Sequence, residues 1–132
     1  MRCVLFGYGY WGKIVERYIL QAEEFELTGI IDPHYEPHAE LNEVLDSRAV
    51  DCAFVCVPVR QHYQIVKRLL EHKIHVFCEK PLCTDVVEMK ELFCLSEQNH
   101  TVLFTDYVYT VSPSLSCVRQ HLKDFGRIQY ID

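Results

Sequence analysis

Glycines at 7, 9 and 12, in the run Val4-Leu5-Phe6-Gly7-Tyr8-Gly9-Tyr10-Trp11-Gly12, constrain this chain more than any other feature. A short apolar run, Cys3 to Phe6, breaks into the glycine turn, and a helical pattern resumes at about Tyr10. The spacing is G-x-G-x-x-G: the first glycine permits a tight turn out of a strand, the second lets a pyrophosphate approach bare backbone, and the third lets the helix pack close to the strand. Phosphates would then face the unpaired N–H groups and the positive dipole end of that helix. A loop with clustered glycines gives the same letters, so context decides. A strand precedes the turn, a helix pattern follows it, and Leu27-Thr28-Gly29-Ile30-Ile31 closes on Asp32, at the separation of about 20 residues that the fingerprint requires. A carboxylate there can accept from adenine-ribose hydroxyls and would repel a 2′-phosphate, which favours NAD over NADP.

The rest of the chain repeats the strand-then-helix alternation. Helix one, about Tyr10–Glu23, carries Trp11, Ile14, Val15, Tyr18 and Ala22 as an apolar stripe suited to lying on a sheet. Strand two covers about Glu26–Ile31, and a short helix follows around Leu41–Asp46 after Pro33 and Pro37. His34 and Tyr35 either touch the adenine side of a cofactor or are exposed loop residues. Ala53-Phe54-Val55-Cys56-Val57 is nearly continuous in apolar residues, as for a strand buried on both faces of a parallel sheet, and Pro58 ends it. Helix three spans about Gln61–His72, strand four Ile74–Phe77, a helix capped by Thr84 runs to about Glu97, and strand five is Thr101–Thr105. Ser112-Pro113 starts a last helix to about Lys123, Gly126 stops it, and Ile128–Ile131 begins one more strand. This order calls for an α/β fold, a doubly wound parallel sheet with helices on both faces and a ligand at the carboxyl ends of the strands.

Composition narrows the classes. The chain has 132 residues, room for one full domain. A net charge of −6 argues against a nucleic-acid or anionic-membrane surface, and no apolar stretch reaches membrane-spanning length. The apolar run before Gly7 is too short for a signal peptide, so a cytoplasmic location is expected. Seven cysteines are scattered with no C-x-x-C pair; they read as buried reduced thiols and not as a metal site.

A second stretch carries chemistry: His75-Val76-Phe77-Cys78-Glu79-Lys80-Pro81-Leu82. A strand delivers Glu79 and Lys80 to the ligand edge, with Pro81 fixing the backbone behind them. Lys80 could donate to a substrate hydroxyl or carbonyl, and Glu79 could accept from a ribose hydroxyl or restrain Lys80. A plain surface ion pair at a strand end is the other reading.

The glycine turn near Met1, Asp32 after strand two, Val57-Pro58 followed by His62, and Glu79-Lys80-Pro81 after strand four together resemble the Gfo/Idh/MocA oxidoreductases. The resemblance spans nearly the whole chain and implies a Rossmann fold and NAD- or NADP-dependent oxidation or reduction of sugars, sugar nucleotides or polyols. It implies that Gly7, Gly9, Tyr10, Trp11 and Gly12 hold the pyrophosphate and Asp32 the adenine ribose. It places Pro58 and His62 along the cofactor cleft, Glu79 near the nicotinamide ribose, Lys80 beside the reacting carbon, and Tyr107 close by. Family enzymes continue into a second α/β domain that supplies most substrate contacts and the proton-exchanging His or Asp. The expected division is therefore a dinucleotide-binding domain over 1–125, with 126–132 the start of a strand leading to that missing domain. Two other readings follow from the same residues: a non-catalytic NAD(H)-binding module, or a vestigial truncated product. An unpaired strand at 127–131 further suggests a homo-oligomer joined through the C-terminal segment.

Overall fold

A computed structural model describes residues 1–35, 41–47, 49–127 and 129–130. Five parallel strands, β1 (Arg2–Phe6), β2 (Glu26–Ile31), β3 (Cys52–Val55), β4 (His75–Cys78) and β5 (Leu103–Thr105), stand in the order β2-β1-β3-β4-β5. Between and after them run α1 (Tyr10–Gln21), α2 (Leu41–Ser47), α3 (Val59–Glu71), α4 (Val86–Gln98) and α5 (Pro113–Gln120). The sheet reverses direction at β1: the chain steps outward to β2, then crosses back to β3. Both β1–β2 and β1–β3 are parallel, so β1 is the switch point of a doubly wound sheet.

Strand alternation divides the core. Val4, Phe6, Ala53, Val55, Val76 and Cys78 point to one face and pack on Val44 and Leu45 of α2, Val66, Leu69 and Leu70 of α3, and Leu92 of α4. Each of the Val, Leu and Phe side chains among them, fully buried, stabilises the fold by roughly 1.5–3 kcal/mol. On the opposite face Cys3 and Cys52 pack with Ile19 of α1. That face also bears a row of rings, Phe25, Phe54, Phe77 and Phe104, with neighbouring centroids 5.4, 5.4 and 5.5 Å apart. Phe54, Phe77 and Phe104 share one register across β3, β4 and β5, which is why they line up.

The helix stripe expected on α1 (Trp11, Ile14, Val15, Tyr18 and Ala22) does turn toward this face, but it lines an open groove with Phe54 and Phe77. Trp11 and Tyr18 consequently stay 49% and 68% exposed, and Ile19 is the α1 side chain that is buried. Several boundaries shift from expectation by one to three residues: β3 stops at Val55, α3 starts at Val59 and β5 starts at Leu103. The cap of α4 is Asp85, one residue past Thr84, with a carboxylate that accepts from the amides of Val87 and Glu88. The last helix ends at Gln120, and a 3₁₀ turn over Leu122–Phe125 carries the chain to Gly126, whose φ of +67° suits glycine. The strand expected over 128–131 involves 128 and 131, which lie outside the described residues, as does Pro37. Among the described residues no helix is long and apolar enough to cross a membrane.

Candidate functional site

Hydrogen bonds continue the sheet ladder one residue past its strands and so align the carboxyl edge. Gly7 N–H donates to Ile31 O (2.9 Å), Cys56 N–H to Phe6 O (2.7 Å), Glu79 N–H to Val55 O (2.9 Å) and Asp106 N–H to Cys78 O (2.9 Å). The glycine turn, Asp32, Glu79 and Asp106 therefore stand in a row along one rim.

The turn is shaped by steric need. Gly7 has φ +86°, and a β-carbon there would sit 2.7 Å from Cys56 O. A β-carbon on Gly12 would fall 2.0 Å from Gly7 O, so only glycine lets α1 start this close to the turn. Gly9 differs: nothing lies within 4 Å of its would-be β-carbon. That open side is where the backbone is bare. Gly9 also caps α1 without a side-chain acceptor, and the first turn holds no acidic residue. The free amides of Tyr10, Trp11 and Gly12 and the dipole of α1 are thus left for an external anion. These features fit a dinucleotide's pyrophosphate.

Asp32 is tied to the same turn. Its Oδ2 accepts from the Tyr8 amide at 2.7 Å and its Oδ1 from the His34 amide at 2.8 Å. The Tyr8 amide above all, with that of His34, holds the Asp32 carboxyl below the ordinary carboxylate range, against a smaller opposing effect of burial. The acid is ionised at neutral pH, and each oxygen keeps a lone pair for a further donor. Tyr8 also orders its surroundings through its side chain. Its hydroxyl donates to Glu16 at 2.7 Å, Lys13 Nζ stands 5.5 Å from its ring centre, and its ring meets Tyr35 edge-on at 4.5 Å. Tyr35 is thereby brought beside Asp32. No sequence signal singles out Tyr8, because the amide that matters belongs to a position where the fingerprint accepts any residue.

Farther along the rim, Glu79 is 8% exposed, with Oε2 accepting from the Lys80 amide at 3.2 Å, while Lys80 itself is exposed. The Lys80–Pro81 peptide is cis. Trp11, Glu79 and Asp106 line one groove of about 470 Å³, so the glycine turn and the Glu79 end share a cavity. Asp106 stands at the ligand rim, where the strand order places the residues directly after β5, and the sequence assigns it no role there. Pro58, the residue before α3, is exposed, and Tyr107 is 51% exposed where the chain leaves β5. His62, which the resemblance places along the cleft, is 1% exposed, with Nε2 2.8 Å from Val57 O and Nδ1 2.9 Å from Pro81 O.

The thiols nearest the rim are chemically quiet: burial pushes Cys56 up to about 12 and raises Cys78 as well. Among the described residues no group of three or more His, Cys, Asp or Glu side chains is arranged for a metal ion.

Residues 1–107 match the model of a family described as an oxidoreductase family with an NAD-binding Rossmann fold, Gfo/Idh/MocA. An uncharacterized oxidoreductase of Escherichia coli K12 is 29% identical over 91 residues, 69% of this chain and 28% of that one. A scyllo-inositol 2-dehydrogenase (NADP(+)) of Bacillus subtilis 168 is 25% identical over 132 residues, 88% of this chain and 40% of that one. This chain thus spans less than half the length of either relative. Among solved structures, a 3-ketoreductase from Actinomadura kijaniata, in complex with TDP-benzene and NADP, superposes with a TM-score of 0.83 at 21% identity, covering 94% of this chain and 43% of that one. At that identity the likeness shows the fold.

Proposed function

We propose, from the premise that this chain belongs to the Gfo/Idh/MocA oxidoreductase family, that it binds NAD(H) along its carboxyl rim and serves hydride transfer to or from a sugar, sugar nucleotide or polyol. The observation that carries this reading is the bare, uncapped turn at Gly9 set against an ionised Asp32. The amides of Gly9, Tyr10, Trp11 and Gly12 would hold the pyrophosphate and Asp32 the adenine ribose, with Tyr35 beside it and Pro58 at the cleft wall. The Asp32 charge would oppose a 2′-phosphate, so NAD is the preferred form. The inositol dehydrogenase and the 3-ketoreductase to which this chain is similar carry NADP in name or complex, and Asp32 is the residue on which the NAD preference rests.

When bound, the nicotinamide ring supplies or accepts the hydride. The chain's own part is orientation and charge. Glu79, buried, would take a hydrogen bond from the nicotinamide ribose. Lys80, on the exposed side of the same turn, would donate to the oxygen of the reacting C–O group and stabilise negative charge there. Tyr107 would flank the same place. In this reading residues 1–125 form the cofactor domain, and a substrate held against it comes from sugar-like chemistry, as in the inositol dehydrogenase relative.

A turnover assay over a panel of sugars, sugar nucleotides and inositols, followed through nicotinamide absorbance, tests the proposal. Turnover that Lys80→Ala abolishes supports it. Saturable NADH binding with no turnover on any member would instead select a non-catalytic NAD(H)-binding module.

A further inference from the structure

A proline interrupts the rim. Two residues beyond Glu79 N–H to Val55 O, the next rung of the β3–β4 ladder would run from residue 81 to Val57 O, and Pro81 has no N–H to donate. Among the described residues the last backbone rung between these two strand ends is Glu79 N–H to Val55 O. Lys80 and Pro81 stand beyond it, without ladder support. What reaches across is a side chain: His62, 1% exposed, places Nε2 2.8 Å from Val57 O and Nδ1 2.9 Å from Pro81 O. Carbonyl oxygens only accept, so a neutral imidazole donates to one of them and an imidazolium to both. Few side chains can present two polar nitrogens in opposite directions from one buried rigid ring. A buried apolar residue at this position would remove the ring's N–H and leave the carbonyl it serves desolvated without compensation.

We propose, resting on the cofactor reading above, that His62 is a positioning residue. It holds the Val57–Pro58 turn and the Lys80–Pro81 turn in fixed relation and thereby sets where Lys80 and Glu79 stand along the cofactor edge. It does so from behind the cleft and touches neither cofactor nor substrate. The ring stands at Val57 O, the acceptor that Pro81 leaves without a rung.

The test compares His62→Leu, which keeps the bulk and loses the donors, with His62→Asn, whose amide nitrogen can mimic Nδ1 and restore the link to Pro81 O. Leu92→Ala serves as the control: Leu92 is fully buried in α4 and part of the core. Two quantities are read on the full chain, the backbone amide resonance of Lys80 without cofactor and the affinity for NADH. His62→Leu is expected to displace the Lys80 resonance and weaken NADH about tenfold, and His62→Asn to recover most of both. Leu92→Ala should lower thermal stability and change neither. An unmoved Lys80 resonance in folded His62→Leu overturns the proposal, as does an equal displacement in Leu92→Ala. If His62→Leu does not fold, the wild-type ring decides. A His62 N–H protected from exchange relative to exposed His72 supports the link, and one exchanging as fast as His72 contradicts it. Should wild-type NADH binding be absent, the cofactor reading falls, while the Lys80 resonance still judges His62.

Discussion

The Tyr8 amide donates to Asp32 Oδ2 at 2.7 Å, so the glycine turn and the acid at the end of β2 are one unit before any ligand arrives. Losing the carboxylate removes both a ligand for ribose and a brace for the turn. Asp32→Ala is expected to weaken NADH binding about 10- to 100-fold, since hydrogen bonds to a charged group contribute about 1.5–3 kcal/mol. It should also narrow the gap between NAD and NADP. Parallel calorimetric titrations of the variant with both cofactors check this; unchanged affinity for each would mean the acid serves the turn alone.

The three glycines should separate folding from binding. Gly7→Ala and Gly12→Ala put a methyl group 2.7 Å and 2.0 Å from carbonyl oxygens, and Gly7 also has a positive φ. Both should destabilise the chain by more than about 1 kcal/mol. Gly9→Ala meets nothing within 4 Å, so its urea midpoint should stay near wild type while NADH affinity falls at least tenfold. Equal loss of stability in all three, or wild-type affinity in Gly9→Ala, would place the phosphates elsewhere.

Acid should reveal the same carboxylate. Asp32 titrates below its ordinary 3.8 in the folded chain because the Tyr8 and His34 amides favour its charged form. Its contribution to stability is therefore complete above the unfolded value and is lost as pH falls through the lower folded value. Asp51 is lowered in the same direction by the Arg2 amide, so the wild type alone does not isolate Asp32. The difference in urea midpoint between wild type and Asp32→Asn should be constant above about pH 5 and shrink toward zero below about pH 3. A difference that grows on acidification would reverse the assignment.

Much of this was legible in the residues. The bounds of β1 and β2 follow from apolar runs closed by Gly7 and Asp32, and the parallel order follows from the alternation of strands and helices. Boundaries slipped where two residues offer the same chemistry. Thr84 and Asp85 are both capping types, and only the backbone direction shows that Asp85 reaches the amides of Val87 and Glu88. The α1 stripe pointed to the right side, but periodicity does not say whether that side is covered, and Trp11 and Tyr18 face an open groove. His62 was legible as part of a motif and not as a buried ring between two turns. Its partners are carbonyls of Val57 and Pro81, and a carbonyl leaves no mark in a sequence.

Lys80 separates binding from chemistry. Its side chain is exposed beyond the last rung of the ladder, whereas its neighbour Glu79 is buried. Lys80→Ala should leave NADH affinity within about threefold and remove turnover by a factor of at least 10² to 10³, the cost of losing one stabilising donor. Single-turnover kinetics and NADH titration on the same preparation give both values. A loss confined to affinity would make Lys80 a cofactor ligand.

A nicotinamide dinucleotide is expected to occupy the turn between β1 and α1. Calorimetric titration of the wild-type chain with NADH, NAD and NADP measures that occupancy. Saturable binding of one equivalent, tighter for NAD(H) than for NADP and weakened by Gly9→Ala, is the predicted result. No saturable heat from any of the three, or binding that Gly9→Ala leaves intact, would contradict it.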